Sequence, residues 1–203
     1  FDSAASYVRF PVYFSNEFLN WSARESVIDC GAYIGNTLEA FLRLVGGQYD
    51  HYWAIEPDPA NFKLLADLVA GRGLKNITLL NKAVFSRTAL LSFAGGLGQG
   101  SRLDESGAAR VEAEAIDNLV DRDQAISFIK MDLEGGELEA LKGGAATIRK
   151  YRPKLAVCAY HRADDLLVLP AYIKELVPEY RLFLRLHGYG PVDAVLYAVP
   201  ANT

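Results

Sequence analysis

The chain has 203 residues, 51% of them apolar and 23% charged, with a formal net charge of −4. That size and composition suit one domain burying a full core without disulfide or metal staples. The acidic balance, with no Lys/Arg stripe interleaved with aromatics, argues against a nucleic-acid partner, and no apolar run reaches the length of an integral membrane span.

The chain begins at Phe1 without a charged-then-apolar leader pattern, which leaves a fragment and a processed chain both open. The first twenty residues are rich in aromatics (Phe1, Tyr7, Phe10, Tyr13, Phe14, Phe18), and Pro11 breaks any single long helix there. We expect short helices or extended pieces covering an edge of the sheet or the site, held by core packing rather than acting as a lid. Residues 1–26 are read as this covering segment and 27–199 as the core of a single domain spanning 1–203.

The run Val27-Ile28-Asp29-Cys30-Gly31-Ala32-Tyr33-Ile34-Gly35-Asn36-Thr37 organises the rest. It reads as a short apolar strand, an acidic residue near its end, a glycine loop and the first turn of a helix. Glycines at 31 and 35 let the backbone turn sharply and come close to a ligand. The spacing from Gly31 is G-x-x-x-G, not the dinucleotide fingerprint G-x-G-x-x-G. Asp29 would repel a pyrophosphate but attract a cation, which favours a ligand bearing an ammonium and a sulfonium, such as S-adenosylmethionine.

A helical apolar period runs from Thr37 to Leu44 and ends at Gly46-Gly47. His51 to Ile55 predicts a second strand, followed by Glu56-Pro57-Asp58-Pro59. Glu56, at that strand's end, is placed to accept both hydroxyls of a ribose, because a carboxylate only accepts and a vicinal diol offers two donors. Asp58 needs no such role, since an acidic residue opening the helix Ala60–Ala70 already complements the dipole. Asn76 to Phe85 reads as a third strand, with Ala83 small enough for an adenine ring to lie against the backbone. Ala89 to Phe93 reads as another strand, Gly95 to Ser101 as a mobile surface loop, and Val111 to Ala115 as an edge strand. A short helical piece follows from Ile116 to Val120.

A second informative run is Ser127-Phe128-Ile129-Lys130-Met131-Asp132-Leu133-Glu134-Gly135-Gly136-Glu137. It predicts a fourth strand and then one helix from Glu137 to Ile148, with Leu138, Leu141, Ala145 and Ile148 on its buried face. The helix dipole accounts for Glu137 but not for Asp132, which ends an apolar strand where open α/β sheets bind ligands. Asp132 and Glu134 are therefore site candidates. Pro153 to His161 reads as a fifth strand ending in His161, a side chain suited to proton transfer near neutral pH; we favour that role over a structural hydrogen bond. Leu166 to Val177 reads as a helix with Pro170 at its first turn or a kink. Tyr180 to His187 and Asp193 to Val199 read as a closing antiparallel pair joined through Gly188–Pro191. Cys30 and Cys158 would lie on strands separated by another strand, about 9–10 Å apart, too far for a disulfide. Two buried thiols suit a reducing, cytoplasmic setting.

The segments VIDCGAYIGNT, AIEPDPANFKLL, LLNKAVFS, FIKMDLEGGELEAL, RPKLAVCAYH and the closing hairpin together resemble the FkbM-type S-adenosylmethionine-dependent methyltransferases. The resemblance covers most of Val27–Val199; the EPDPANF and KMDLEGGE segments carry most of its specificity. It implies an α/β, Rossmann-like class I methyltransferase fold: a seven-stranded, mostly parallel sheet with a C-terminal antiparallel hairpin and helices on both faces. It implies S-adenosylmethionine as cofactor, with Asp29 and Gly31 near its methionyl part, Glu56 at the ribose and Ala83 near adenine. Ala32, Tyr33, Gly35, Asn36, Thr37, Pro57 and Asn81 join the cofactor residues on the same ground. Asp132 would lie close to both sulfonium and acceptor. The first twenty residues and Gly95–Arg110 match less clearly, and acceptor specificity is least legible there.

The usual chemistry of such a family is O-methylation, here of a hydroxyl on a sugar, polyketide, lipid or peptide. We assign His161 as general base, with Asp132 and Glu134 in support. Hard oxygen ligands suit Mg²⁺, but two nearby carboxylates are too common to predict a metal. Rival readings are a nicotinamide-dependent oxidoreductase on a similar sheet and a cofactor-binding module without turnover. Oligomeric state is not legible.

Overall fold

A computed structural model describes residues 12–15, 17–94, 102–103, 109–120, 124–187 and 193–201. In chain order, β1 (Ser26–Cys30) leads to α1 (Asn36–Leu44), β2 (His51–Ile55), α2 (Pro59–Gly71) and β3 (Ile77–Leu80). Then follow β4 (Ala83–Val84), β5 (Ala89–Ala94), β6 (Arg102–Leu103), β7 (Ala109–Glu114) and α3 (Ile116–Leu119). The remainder is β8 (Phe128–Met131), α4 (Glu137–Gly143), α5 (Ala145–Tyr151), β9 (Lys154–Cys158), α6 (Asp165–Leu176), β10 (Arg181–Leu186) and β11 (Ala194–Val199).

The main sheet has seven strands in the order β10-β11-β9-β8-β1-β2-β3. Its strands are parallel except the final hairpin, in which β11 inserts antiparallel between β10 and β9. β1, β8, β9 and β11 are buried along their whole length, the expected state of strands covered on both faces. Two apolar clusters flank the sheet. One takes Leu38 and Phe41 of α1 and Leu65 of α2; the other takes Ala140, Leu141, Ile148, Leu169 and Ile173 from α4, α5 and α6. The fold is thus the expected one, with helices on both faces. Phe14 of the N-terminal segment is fully buried against Trp21, Phe41 and Phe128.

Four local expectations change. The strand expected over 76–85 divides at Asn81, whose side-chain amide donates to the Glu56 and Pro57 carbonyls at 2.8 and 3.1 Å. There the chain leaves the main sheet, and β4 joins a separate four-stranded sheet, β4-β7-β5-β6. In that sheet the expected edge strand, β7, lies between β4 and β5. The helix expected over 137–148 is two helices. Gly143 passes so close to the Phe85 carbonyl that a Cβ would sit 2.1 Å from it. Asp117 then accepts from the N–H groups of Ala146 and Thr147 at 2.9 and 2.8 Å, capping a new helix start. Finally, β9 stops at Cys158, so His161 lies in the connection to α6 instead of on the strand.

Pro170 falls in the second turn of α6, on the side where Leu166 and Leu167 are exposed. Both cysteines are free and buried, on β1 and β9 with β8 between them. The Gly95–Ser101 and Gly188–Pro191 loops, and Phe1, Tyr7, Phe10 and Pro11, lie outside the described residues. Among the described residues no helix is long and apolar enough to cross a membrane.

Candidate active site

The carboxyl ends of β1, β2 and β8 converge on a cavity of about 320 Å³, where open α/β sheets bind ligands. Gly31, Tyr33, Asn36 and Thr37 reach its wall from the β1–α1 connection, and Glu56 and Pro57 from the end of β2. Ala83 comes from β4, and Asp132 and Glu134 from the connection after β8. Gly31 is required for this convergence. Its φ is +84°, and a Cβ there would sit 2.1 Å from the Asp132 carbonyl oxygen.

Asp29, Ala32, Gly35 and Asn81 stand behind the wall. Asp29 is fully buried, accepts from the Tyr52 hydroxyl at 2.7 Å and pairs with Lys130 Nζ at 3.1 Å. Lys130 in turn donates to the Gly31 carbonyl at 2.5 Å, so the pair ties the glycine loop to β8. Burial works to lower the Lys130 pKa, but Asp29 and Asp132 outweigh it and hold the ammonium protonated. Ala32 is core, Gly35 precedes α1 in a left-handed conformation, and Asn81 holds the 56–57 backbone.

Glu56 is 5% exposed and held from three directions. Its Oε2 accepts from the Tyr33 N–H at 2.9 Å, while Oε1 accepts from the Asp58 N–H at 3.0 Å and the Asn61 amide at 3.4 Å. Burial nonetheless raises its pKa against these bonds. Asp58 caps α2 by accepting from the Ala60 and Asn61 N–H groups, the helix-start role expected of it.

Near Asp132 lies a cluster of ionisable groups. Tyr13 donates its hydroxyl to Asp132 Oδ2 at 2.7 Å from a left-handed backbone (φ 78°), with its ring beneath the Lys130 ammonium. His161 Nε2 stands 3.5 Å from Asp132 Oδ1 and 3.6 Å from Glu134 Oε1, while its Nδ1 meets Glu137 Oε1 at 2.8 Å. Glu134 and Gly135 are both left-handed (φ 50° and 97°), a sharp turn that brings Glu134 toward the imidazole. Burial opposes a charged His161, but the Glu137 bond and the three carboxylates outweigh it and raise its pKa. Burial likewise opposes a charged Asp132, yet Lys130, Tyr13 and His161 hold its pKa below the usual value. Asp132 Oδ1, Glu137 Oε2 and His161 Nε2 are buried without a hydrogen-bond partner among the described residues. Atoms of Asp132, Glu137 and His161 within 4.8 Å of one another could also approach one cation.

The structure therefore brings Asp132, Glu134 and His161 together: Glu56, Asp132 and Glu134 line one cavity, and His161 is buried behind the two latter carboxylates without lining it itself. Sequence reasoning missed Tyr13, Lys130, Asn61 and Tyr160, the last lining the cavity and packed on His161, and gave Glu137 only to the dipole. For Lys130 a signal existed: a cation inside an otherwise apolar strand needs a buried counter-charge. For Tyr13, from a segment read as packing, no local pattern pointed to the site.

The family profile described as Methyltransferase FkbM domain matches residues 29–191. The chain is similar to the crystal structure of Methyltransferase FkbM from Methylobacillus flagellatus KT, at 33% identity and a TM-score of 0.80. That similarity covers 92% of this chain and 46% of the other, so the chain spans less than half of that relative's length. Two more distant structures share the fold. SMU.1697c from Streptococcus mutans, solved in complex with SAH, has 12% identity, a TM-score of 0.55 and coverage of 90% and 91%. Fibrillarin from Aeropyrum pernix, with natively bound S-adenosyl-L-methionine, has 13% identity, a TM-score of 0.55 and coverage of 89% and 70%. No curated protein matches the chain by sequence.

Proposed function

The chain belongs to the FkbM methyltransferase domain family, and on that premise we propose that it transfers a methyl group from S-adenosylmethionine to a hydroxyl of a small molecule, sugar or lipid. The observation that carries this reading is the placement of a buried, acceptor-only carboxylate, Glu56, on the wall of the cavity that Asp132 and Glu134 also line. The donor set fits such a cofactor. Glu56 suits a ribose diol, Ala83 leaves room for a flat base, and the anionic Asp132 and Glu134 suit a sulfonium. When bound, S-adenosylmethionine supplies the methyl group, and the carbon–sulfur bonding pair leaves with sulfur.

The chain's own work is to hold an acceptor oxygen in line and remove its proton. His161 Nε2, buried behind the Asp132 and Glu134 carboxylates that line the cavity, takes that proton through them as the acceptor oxygen's electron pair forms the new bond to carbon. The carboxylates stabilise the resulting imidazolium. The rest is positioning by a cavity in which the glycine loop, Glu56 and the Asp132 turn are bonded to one another.

The test is methyl transfer to a panel of hydroxylated acceptors by wild type, His161→Ala and Glu56→Gln. His161→Ala should lower kcat about 100-fold or more with little change in donor affinity, and Glu56→Gln should act chiefly on donor affinity. A His161→Ala enzyme with wild-type kcat would remove the base assignment.

A further inference from the structure

We propose that Glu137 is a positioning residue for His161: it fixes the imidazole with its proton on Nδ1 and turns a bare Nε2 toward Asp132 and Glu134. The inference rests on reading His161 as the group that takes the acceptor's proton, and it assigns a task to a residue that a place in a first helical turn does not by itself explain.

Glu137 is 1% exposed. A carboxylate kept there for the helix dipole alone would remain solvated, since that interaction needs no burial. Instead its Oε1 turns back and accepts two bonds, from the Leu133 N–H at 2.7 Å and from His161 Nδ1 at 2.8 Å. A carboxylate oxygen only accepts, so the ring nitrogen facing it must carry hydrogen. In the neutral imidazole this leaves Nε2 bare, the state a proton acceptor requires. The Leu133 bond matters equally, because Leu133 follows Asp132 directly. One oxygen atom therefore fastens the end of β8 to the connection that carries His161. It sets the separation of Nε2 from both Asp132 and Glu134.

The second oxygen, Oε2, is buried with no hydrogen-bond partner among the described residues. Among the described residues, the other charged or titratable groups around the ring and its Glu137 partner include Asp132 and Glu134 from the β8–α4 connection, Cys158 at the end of β9, Tyr160 with its ring centroid 4.1 Å away, Arg162 beside Gly135, and Asp165 at the start of α6. None of these takes Nδ1. Asp165 is itself engaged, accepting from the Arg162 N–H at 2.7 Å, and so steadies the connection.

The decisive measurement is nitrogen-15 NMR of the full chain labelled at its three histidines, with His161 assigned by loss of its signals in His161→Gln. The expected result in wild type is the Nδ1–H tautomer once His161 is neutral. Glu137→Gln can still accept through its amide oxygen. It should keep the fold and donor binding, lower the His161 titration midpoint, and move the acid limb of the kcat profile down with it. Glu137→Ala should mix the tautomers and lower kcat by about 10–100-fold, part of the usual contribution of a positioned base. A wild-type Nε2–H tautomer, or a midpoint unchanged in Glu137→Gln, would overturn the positioning role alone. Full kcat in His161→Ala would remove the base assignment and this role together.

Discussion

Lys130 and Asp29 form an ion pair at 3.1 Å in the centre of the main sheet, with side chains 2% and 0% exposed. The pair joins β1 to β8, and Lys130 extends it to the Gly31 carbonyl. Removing one partner strands the other charge in the core. Lys130→Met should therefore destabilise the chain by about 3–5 kcal/mol, read by chemical denaturation. The double variant Lys130→Met/Asp29→Asn should recover part of that loss, because it removes the stranded charge as well. Equal destabilisation in the single and double variants would contradict this.

Gly31 offers a sharper contrast. Gly31→Ala must fit a Cβ 2.1 Å from a backbone oxygen, whereas at Gly46, also left-handed, an added Cβ meets no atom of the described residues within 4 Å. Gly46→Ala should cost about 1 kcal/mol of backbone strain, and Gly31→Ala clearly more, with weakened donor binding as the loop shifts. Similar melting temperatures and donor affinities for the two would show that the close approach is not what Gly31 serves.

Much of the fold was legible because its signals are local. Apolar runs ended in acidic residues at β1, β2 and β8, and the Asp58-Pro59 start of α2 needs only neighbouring atoms. The divisions at Asn81 and Gly143 were not legible, since both depend on partners far along the chain. Asn81 turns out of the strand to bond the end of β2, and α5 is started by a carboxylate from α3. The candidate site divides the same way. Glu56 and Asp132 stand out by position and His161 by its chemistry, since the strand expected to carry it ends at Cys158, while Tyr13 and Glu137 acquire their partners only after folding.

The pH dependence follows from His161. Its pKa is raised in the folded chain, so a larger fraction of the ring is protonated at neutral pH than for a free histidine. A base must be neutral, so kcat should rise with pH through a midpoint above 6.5, the ordinary histidine value. The stability effect has the opposite sense. The stabilisation from charged His161 is fully present below about pH 6.5 and fades as pH rises through the raised folded value. His161→Asn should therefore lose more stability at pH 6 than at pH 9. Equal losses at the two pH values would contradict the ion-pair account.

Metal removal separates proton transfer from Lewis-acid assistance at the same cluster. With His161 as base, methyl transfer should persist in EDTA after the chain has been stripped of divalent ions. Loss of activity restored by Mg²⁺ alone would make Asp132, Glu137 and His161 a cation site instead.

The most direct measurement is calorimetric titration of the chain with S-adenosylmethionine, alongside NAD, in wild type and Glu56→Gln. The account predicts saturable binding of the methyl donor and none of NAD. It also predicts a weakening of about 10–100-fold in Glu56→Gln, the scale of one hydrogen bond to a charged group. Absence of donor binding, or binding of NAD in its place, would contradict the proposed function and leave only the fold.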